Sequence, residues 1–112
     1  MNPCGIAITS LPPCFVPLTA AHNPHRAITG AYVGDLLSRV LAGAKEGQAL
    51  ITVLGHANVV AVASHKNLSC IIVTEGAPVA PVALEAAERE GIPLFSTGLT
   101  NYEAASFFAK LP

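Results

Sequence analysis

The sequence predicts an α/β fold in which a mainly parallel β-sheet is flanked by helices. Short aliphatic segments alternate along the chain with segments of helical periodicity, an order typical of parallel sheets with right-handed crossovers. The two clearest aliphatic segments, residues 49–54 (ALITVL) and 70–74 (CIIVT), are apolar almost throughout. Strands of this kind are covered by helices on both faces. We therefore expect residues 1–112 to form a single domain of this class.

Residues 1–26 differ in composition from the rest of the chain. They are rich in proline and almost free of charged side chains. Because proline fixes φ and removes a hydrogen-bond donor, no long helix is expected in this segment. Residues 5–9 and 14–18 could form short or edge strands at most. We predict an irregular N-terminal segment.

The regular part begins at about residue 27, and caps and breakers set its boundaries. Asp35 and Thr100 are the expected N-caps of two helices, and Thr100 forms a capping box with Glu103. Pro81 suits the first turn of a helix that Gly91 ends. The predicted order is strand 27–29, helix 35–44, strand 49–54, helix 57–66, strand 70–74, helix 81–90, strand 92–96 and helix 101–110.

The composition excludes several classes of protein. With 52% hydrophobic and 12% charged residues, the chain is the reverse of a disordered sequence. Its net charge of -1 gives no basic surface, so we expect no nucleic-acid partner. The densest apolar run, residues 57–63, is far shorter than the roughly 20 residues of a membrane span, so no membrane contact is expected. Three cysteines without a C-x-x-C pair and no signal-like N-terminus predict a cytoplasmic protein.

Common catalytic and cofactor motifs are absent from the sequence. It contains no P-loop, no G-x-G-x-x-G, no G-x-S-x-G and no H-E-x-x-H. The one close histidine pair, His22 and His25, supplies two of the four ligands that a structural zinc needs. The acidic residues fall mostly on predicted helix surfaces, where solvation explains them. We expect no cofactor and no metal.

Small and polar residues converge at four predicted strand-to-helix turns, residues 30–35, 55–58, 74–76 and 96–100. In open parallel sheets, ligands bind beyond the carboxyl ends of the strands, next to helix N-termini. The pattern therefore favours a shallow site for a small anion or a nucleotide. A purely structural role stays open, because Asp, Asn and Thr are common helix caps and glycine is common in tight turns.

Two ordered blocks of residues resemble the DRTGG domain family, a small α/β module of bacteria and archaea. The first block is matched by Arg26, Thr29, Gly30, Tyr32, Asp35, Leu36, Leu37 and Ser38. The second block is matched by Thr52, His56, Asn58 and residues 59–63. The downstream segments IIVTEGAPVAP and GIPLFST also resemble the family's last two strands, so the resemblance covers about residues 15–111. The sequence departs from the family pattern at His25, in place of the name-giving aspartate, and at Ala31, in place of the second glycine.

The resemblance implies a non-catalytic regulatory or interaction module. Members occur alone or attached to phosphotransacetylase-type enzymes and to CBS-domain proteins, and they tend to dimerise. We therefore expect a homodimer or higher homo-oligomer that binds a nucleotide, a phosphorylated metabolite or a protein partner. The expected ligand-binding residues are Arg26, Thr29, Gly30, Tyr32, Asp35, His56, Asn58, Thr74, Gly76 and Thr97.

A small enzyme working at the same edge of the sheet is the alternative hypothesis. His56 would act as its general acid or base, because histidine titrates near neutral pH. Asp35 or Asn58 would orient the imidazole ring.

Overall fold

A five-stranded sheet organises the structure, a computed structural model that describes residues 6–20 and 26–110. The strands are β1 (Ile6–Ala7), β2 (Val16–Pro17), β3 (Ala27–Ile28), β4 (Gly30–Val33), β5 (Gln48–Thr52), β6 (Cys70–Val73) and β7 (Leu94–Ser96). The helices are α1 (Leu37–Gly43), α2 (Ala57–His65), α3 (Pro81–Glu90) and α4 (Asn101–Ala109). The sheet has the order β2-β7-β6-β5-β4; β4 to β7 are parallel, and β2 is antiparallel at one edge. The predicted fold class, α/β with a mainly parallel sheet, is confirmed.

Two apolar clusters cover the two faces of the sheet. On the first face, α1, α2 and α3 pack on side chains that include Leu50 and Ile71. On the second face, α4 and the N-terminal segment pack on side chains that include Ile51 and Ile72. All four side chains are fully buried, so successive residues of β5 and of β6 enter opposite clusters. The apolar runs in the sequence therefore correspond to strands that are covered on both sides.

Aromatic packing holds the N-terminal segment on the second face. The ring centroid of Phe15 lies 5.6 Å from that of Phe107 and 6.1 Å from that of Phe108. The two strands of the N-terminal segment, β1 and β2, have two residues each. This confirms the prediction of short strands at most. The histidine pair His22 and His25 lies outside the described residues.

Two predictions around β4 are wrong. The sequence predicts a turn at residues 30–35, whereas Gly30–Val33 form a strand in continuous register with β5. Glycine is a turn signal, but pairing with a buried neighbour and the β-propensity of Tyr32 and Val33 outweigh it. The sequence also predicts Asp35 as a helix N-cap, yet Leu36 occupies that position and no side chain caps α1. The carboxylate of Asp35 binds the end of β5 instead.

The boundaries of the later helices are confirmed. Helix α3 starts at Pro81, and Gly91 ends it with a left-handed φ of 71°. Helix α4 begins with the predicted capping box, in which Thr100 and Glu103 exchange hydrogen bonds of 2.9 and 3.1 Å. The longest helix in the described part of the chain, α3, has 10 residues, and none there is long and apolar enough to cross a membrane.

Cys70 is a core residue at the start of β6. Its side chain is fully buried within the second-face cluster. Desolvation raises the pKa of the Cys70 thiol to about 12, although the charge of Arg26 acts in the opposite direction. The thiol therefore stays protonated at neutral pH, which makes it a poor nucleophile.

Candidate functional site

The carboxyl edge of the sheet ends in a row of three buried threonines. Thr52 is the last residue of β5, Thr74 follows β6, and Thr97 follows β7. Their side chains are 0%, 0% and 3% exposed, respectively. A buried hydroxyl costs free energy unless it forms a hydrogen bond, so these three residues, the threonine row, must find partners in the adjacent turns.

Asp35 connects the first member of the threonine row to the loop that follows β5. Its Oδ1 atom accepts a hydrogen bond of 2.7 Å from the Thr52 hydroxyl and one of 2.8 Å from the Val53 amide. The Thr52 hydroxyl in turn accepts a bond of 3.2 Å from the Leu54 amide. Hydrogen bonds to an ionised acceptor are stronger than neutral ones. Asp35 therefore holds the β5–α2 loop against the end of β4.

The other two threonines stabilise the turns that follow β6 and β7. The Thr74 hydroxyl forms a hydrogen bond with the side-chain carbonyl of Asn101, in the first turn of α4, and lies 3.3 Å from the carbonyl oxygen of Thr52. The Thr97 hydroxyl accepts a bond of 3.2 Å from the Leu99 amide. The Thr74 hydroxyl thus connects the end of β5 to the start of α4, whereas the Thr97 hydroxyl stabilises its own turn.

An apolar groove of about 480 Å³ lies between the β5–α2 and β6–α3 loops. The two loops touch at Gly55, whose carbonyl accepts a bond of 2.8 Å from the Ala80 amide. A Cβ atom on Gly55 would lie 2.0 Å from the carbonyl oxygen of Pro78, so only glycine fits this contact. The groove, named the His56 groove after its one ionisable lining residue, is lined by Val53, Leu54, Gly55, His56, Pro78, Val79, Ala80 and Pro81.

Two helices begin at the His56 groove without a side-chain cap. His56 is the N-cap of α2 and Ala80 is the N-cap of α3, and neither side chain accepts a hydrogen bond from its helix. The first amide groups of a helix have no partner within the helix. Pro81 has no N–H, and the Val59 and Ala83 amides donate to the carbonyl groups of His56 and Ala80. The amides left for a ligand among the described residues are therefore those of Ala57 and Asn58 at the start of α2 and that of Val82 at the start of α3. They stand near the same groove, together with the positive ends of two helix dipoles. This arrangement favours an anionic group such as a phosphate.

Among the described residues, His56 has neither an acidic partner nor a metal site beside it. Its side chain is exposed and makes no hydrogen bond to the described residues. Asp35, which the sequence offers as an orienting group, binds Thr52 and Val53 instead. Within residues 6–20 and 26–110, no three His, Cys, Asp or Glu side chains are placed to hold a metal ion.

Six of the ten predicted ligand-binding residues lie at the carboxyl edge. Gly76 belongs to the turn after β6, where Glu75 and Gly76 have left-handed φ values of 60° and 63°. Its amide donates a bond of 3.0 Å to the carbonyl oxygen of Thr97. The six residues at this edge are Asp35, His56, Asn58, Thr74, Gly76 and Thr97.

The other four predicted residues lie elsewhere. Arg26, Thr29 and Gly30 precede or begin β4, so they lie at the amino edge, where the Arg26 guanidinium donates a bond of 2.7 Å to the carbonyl oxygen of Asn67. Tyr32 lies within β4, and its hydroxyl donates a bond of 3.2 Å to a carbonyl group of α1. The expectation that residues 30–35 form one turn at the carboxyl edge is wrong, because β4 separates the two ends of this segment.

Sequence reasoning did not select Thr52, Asn101 or the loop at residues 78–81. A signal for Thr52 was present, since a threonine ends or directly follows each of the strands β5 and β6. The loop at residues 78–81 (PVAP) carries no polar side chain, and its place in the groove depends on a contact with Gly55, more than twenty residues earlier in the sequence. Such a contact is visible only in the fold.

Comparisons with known proteins agree with the observed fold. The sequence model of the DRTGG domain matches residues 18–111. One similar solved structure contains the CBS and DRTGG domains of the regulatory region of Clostridium perfringens pyrophosphatase, complexed with the activator diadenosine tetraphosphate. It aligns with a TM-score of 0.70 and 18% sequence identity over 88% of this chain and 43% of that one, so this chain spans less than half of its length. No curated protein matches the chain.

Asp35→Ala should loosen the loop between β5 and α2. The substitution leaves the buried Thr52 hydroxyl and the Val53 amide without their acceptor. We expect the free energy of unfolding to fall by about 1–3 kcal/mol, the cost of leaving a buried polar group unsatisfied. Asp35→Asn is the matched control, because its side-chain carbonyl can still accept both bonds, and it should lose clearly less. Urea unfolding measures both variants, and equal losses would contradict the role given to the Asp35 oxygen.

Gly55→Ala should force apart the two loops that line the His56 groove. The new Cβ would lie 2.0 Å from a backbone oxygen, which only a backbone shift can relieve. Overpacking of this kind costs about 1–3 kcal/mol. Gly98→Ala is the control on the same edge, because a Cβ there has no atom within 4 Å, and a surface change of this type stays within about 0.5 kcal/mol. Similar small effects of both substitutions on unfolding would show that the loops are not in tight contact.

Proposed function

Because this chain belongs to the DRTGG domain family, we propose that it is a non-catalytic regulatory module that binds a small ligand in the His56 groove. The proposed ligand is a nucleotide or another phosphorylated metabolite. The observation that carries the proposal is that α2 and α3 both begin at one apolar groove, each without a side-chain cap.

The chemistry of the groove suits a ligand with one apolar part and one anionic part. Leu54 and Val79 offer apolar walls, on which a base or another flat ring can pack. The amides of Ala57 and Asn58 in α2 and of Val82 in α3 can donate to phosphate oxygens. Ligand sites commonly combine mostly apolar walls with a few polar groups that fix the orientation of the ligand. His56, exposed at the rim, can add one further polar contact.

The Clostridium perfringens structure supports a nucleotide as the class of ligand. That regulatory region is complexed with diadenosine tetraphosphate, and it contains CBS domains besides its DRTGG domain. The likeness in fold supports a role in regulation for the present chain, and the uncapped helix starts support binding of phosphate groups.

We also propose that residues 1–112 form one such module, which associates with itself in the cytoplasm. Exposed apolar side chains support the self-association, since a surface rich in such residues commonly marks an interaction site. If no small ligand binds, we expect the module to bind a protein partner instead. The exposed large apolar residues are Val16, Leu18, Val33, Leu36, Leu41, Val82 and Tyr102.

The alternative of a small enzyme using His56 has no observation in its favour. A general base is usually oriented by a second group, and the described residues place no hydrogen-bond partner on the His56 side chain.

A thermal-shift titration with AMP, ATP, diadenosine tetraphosphate and glucose 6-phosphate tests the proposed function. A ligand at 100 times its Kd should stabilise the folded chain by about 2.7 kcal/mol. His56→Ala should weaken the binding about tenfold, which corresponds to about 1.4 kcal/mol. His65→Ala is the matched control, because His65 is also exposed and ends the helix that His56 begins.

The outcomes separate the proposal from its alternatives. Stabilisation that His56→Ala reduces and His65→Ala leaves unchanged supports a ligand in the His56 groove. Stabilisation that neither substitution reduces would place the ligand elsewhere. The absence of stabilisation by all four compounds would contradict the proposed class of ligand and leave a protein partner as the role of this module.

A further inference from the structure

The outer edge of β4 carries unpaired peptide groups. β4 is the last strand of the sheet, and no strand pairs with its outer side within residues 6–20 and 26–110. The Gly34 amide donates a bond of 3.1 Å to the Ile51 carbonyl. In a strand, alternate peptide groups face the same side, so those of Tyr32 and Gly34 face β5. The peptide groups of Ala31 and Val33 therefore face outward and form what is named the β4 edge.

The two edges of the sheet differ in their protection against pairing. At the opposite edge, β2 contains Pro17, which lacks a donor and disfavours the addition of a strand. β4 contains no proline and no charged residue, and its register with β5 is continuous without a bulge. Natural proteins protect an exposed edge strand with prolines, charges or bulges. An edge without these features is expected to have a partner strand.

Apolar and small residues surround the β4 edge. Val33, Leu36 and Leu41 are 44%, 62% and 43% exposed, and they lie in β4, in the connection after it and in α1. On the second face of the sheet, a shallow groove between β4 and α4 is lined by Gly30, Ala31, Val33, Ala105, Phe108 and Ala109. The glycine and alanines leave room for the close approach of another chain.

We propose that two copies of this chain join through the β4 edge, antiparallel about a two-fold axis perpendicular to the sheet. This interface is a specific form of the self-association proposed above, and it rests on that proposal. The outward peptide groups fix the register: Ala31 of one copy faces Val33 of the other, and each such pair exchanges two backbone hydrogen bonds. Tyr32 then faces Tyr32 of the other copy on the axis. The two sheets become one continuous sheet.

The charges near the edge favour a second copy as the occupant. Asp35 is the one charged residue of the segment 29–35. In the proposed register it faces Thr29 of the other copy, so no like charges meet. The segment is therefore compatible with itself under two-fold symmetry, as an isologous interface requires.

A strand pair alone buries too little surface for a stable dimer, and the exposed residues beside β4 supply the additional area. A stable interface buries roughly 1,200–2,000 Å² in total, which is more than a four-residue strand offers alone. The two-fold axis brings α1 of both copies to the same face of the joined sheet. Leu36 and Leu41 of each copy can then be covered by the other copy.

Sedimentation equilibrium of the full chain and two valine variants tests this interface. The unchanged chain should be a dimer. Val33→Lys, which places a charge at the outward edge, should raise the dimer dissociation constant at least tenfold. Val16→Lys is the matched control, because Val16 is 50% exposed on the opposite edge strand β2, and it should leave the dissociation constant unchanged.

A pair of opposite charges tests the register. Ala31→Glu and Val33→Lys should each weaken the dimer, and an equimolar mixture should form a heterodimer, because the register places the two substituted positions opposite each other. The heterodimer is detected by native mass spectrometry, and circular dichroism verifies that each variant is folded. Because both positions lie on the same edge, Ala31→Glu alone tests the interface if Val33→Lys does not fold.

Each outcome has one interpretation. A dimer that Val33→Lys or Ala31→Glu weakens and Val16→Lys does not supports the β4 edge. A dimer that survives substitution at the β4 edge, or that only Val16→Lys weakens, overturns this interface but keeps the proposed self-association. A monomer at 100 µM, for the unchanged chain, overturns both, while the proposed ligand binding is judged separately by the titration with nucleotides.

Discussion

The burial of β5 and β6 on both faces of the sheet is the constraint on which the rest of the structure depends. Leu50 and Ile71 pack on one face and Ile51 and Ile72 on the other, so these strands offer no exposed face for a polar group. Polar chemistry is confined to the strand ends, where the chain turns into helices. At these strand ends the buried hydroxyl groups of the threonine row form hydrogen bonds with Asp35, Asn101 and the Leu99 amide.

Because the turns are held in this way, the helix starts have fixed positions. Asp35 holds the β5–α2 loop through Thr52 and Val53, and the contact of Gly55 with Pro78 holds this loop against the next one. The starts of α2 and α3 then meet at one groove. Asp35 also lies two residues after the end of β4, so a single residue connects the proposed ligand groove with the proposed dimer edge.

Periodicity and local capping predicted most of the fold, while contacts between distant residues decided the rest. The apolar runs, Pro81 and the Thr100 capping box carry their structural meaning within a few residues, and the structure confirms them. The strand at Gly30–Val33 depends on pairing with β5, and the place of Asp35 depends on Thr52. For the same reason the sequence predicts a site at the carboxyl edge but does not show that residues 78–81 line it.

Backbone amide chemical shifts of the ¹⁵N-labelled chain, recorded during a titration with ATP, test the central claim most directly. If the two uncapped helix starts bind the phosphate groups, the largest shift changes will fall on residues 53–58 and on Val79, Ala80 and Val82, beside the His56 groove. Largest changes at Arg26 and Thr29 on the amino edge, or along residues 8–17 of the N-terminal segment, would contradict it, as would the absence of any change at millimolar ATP.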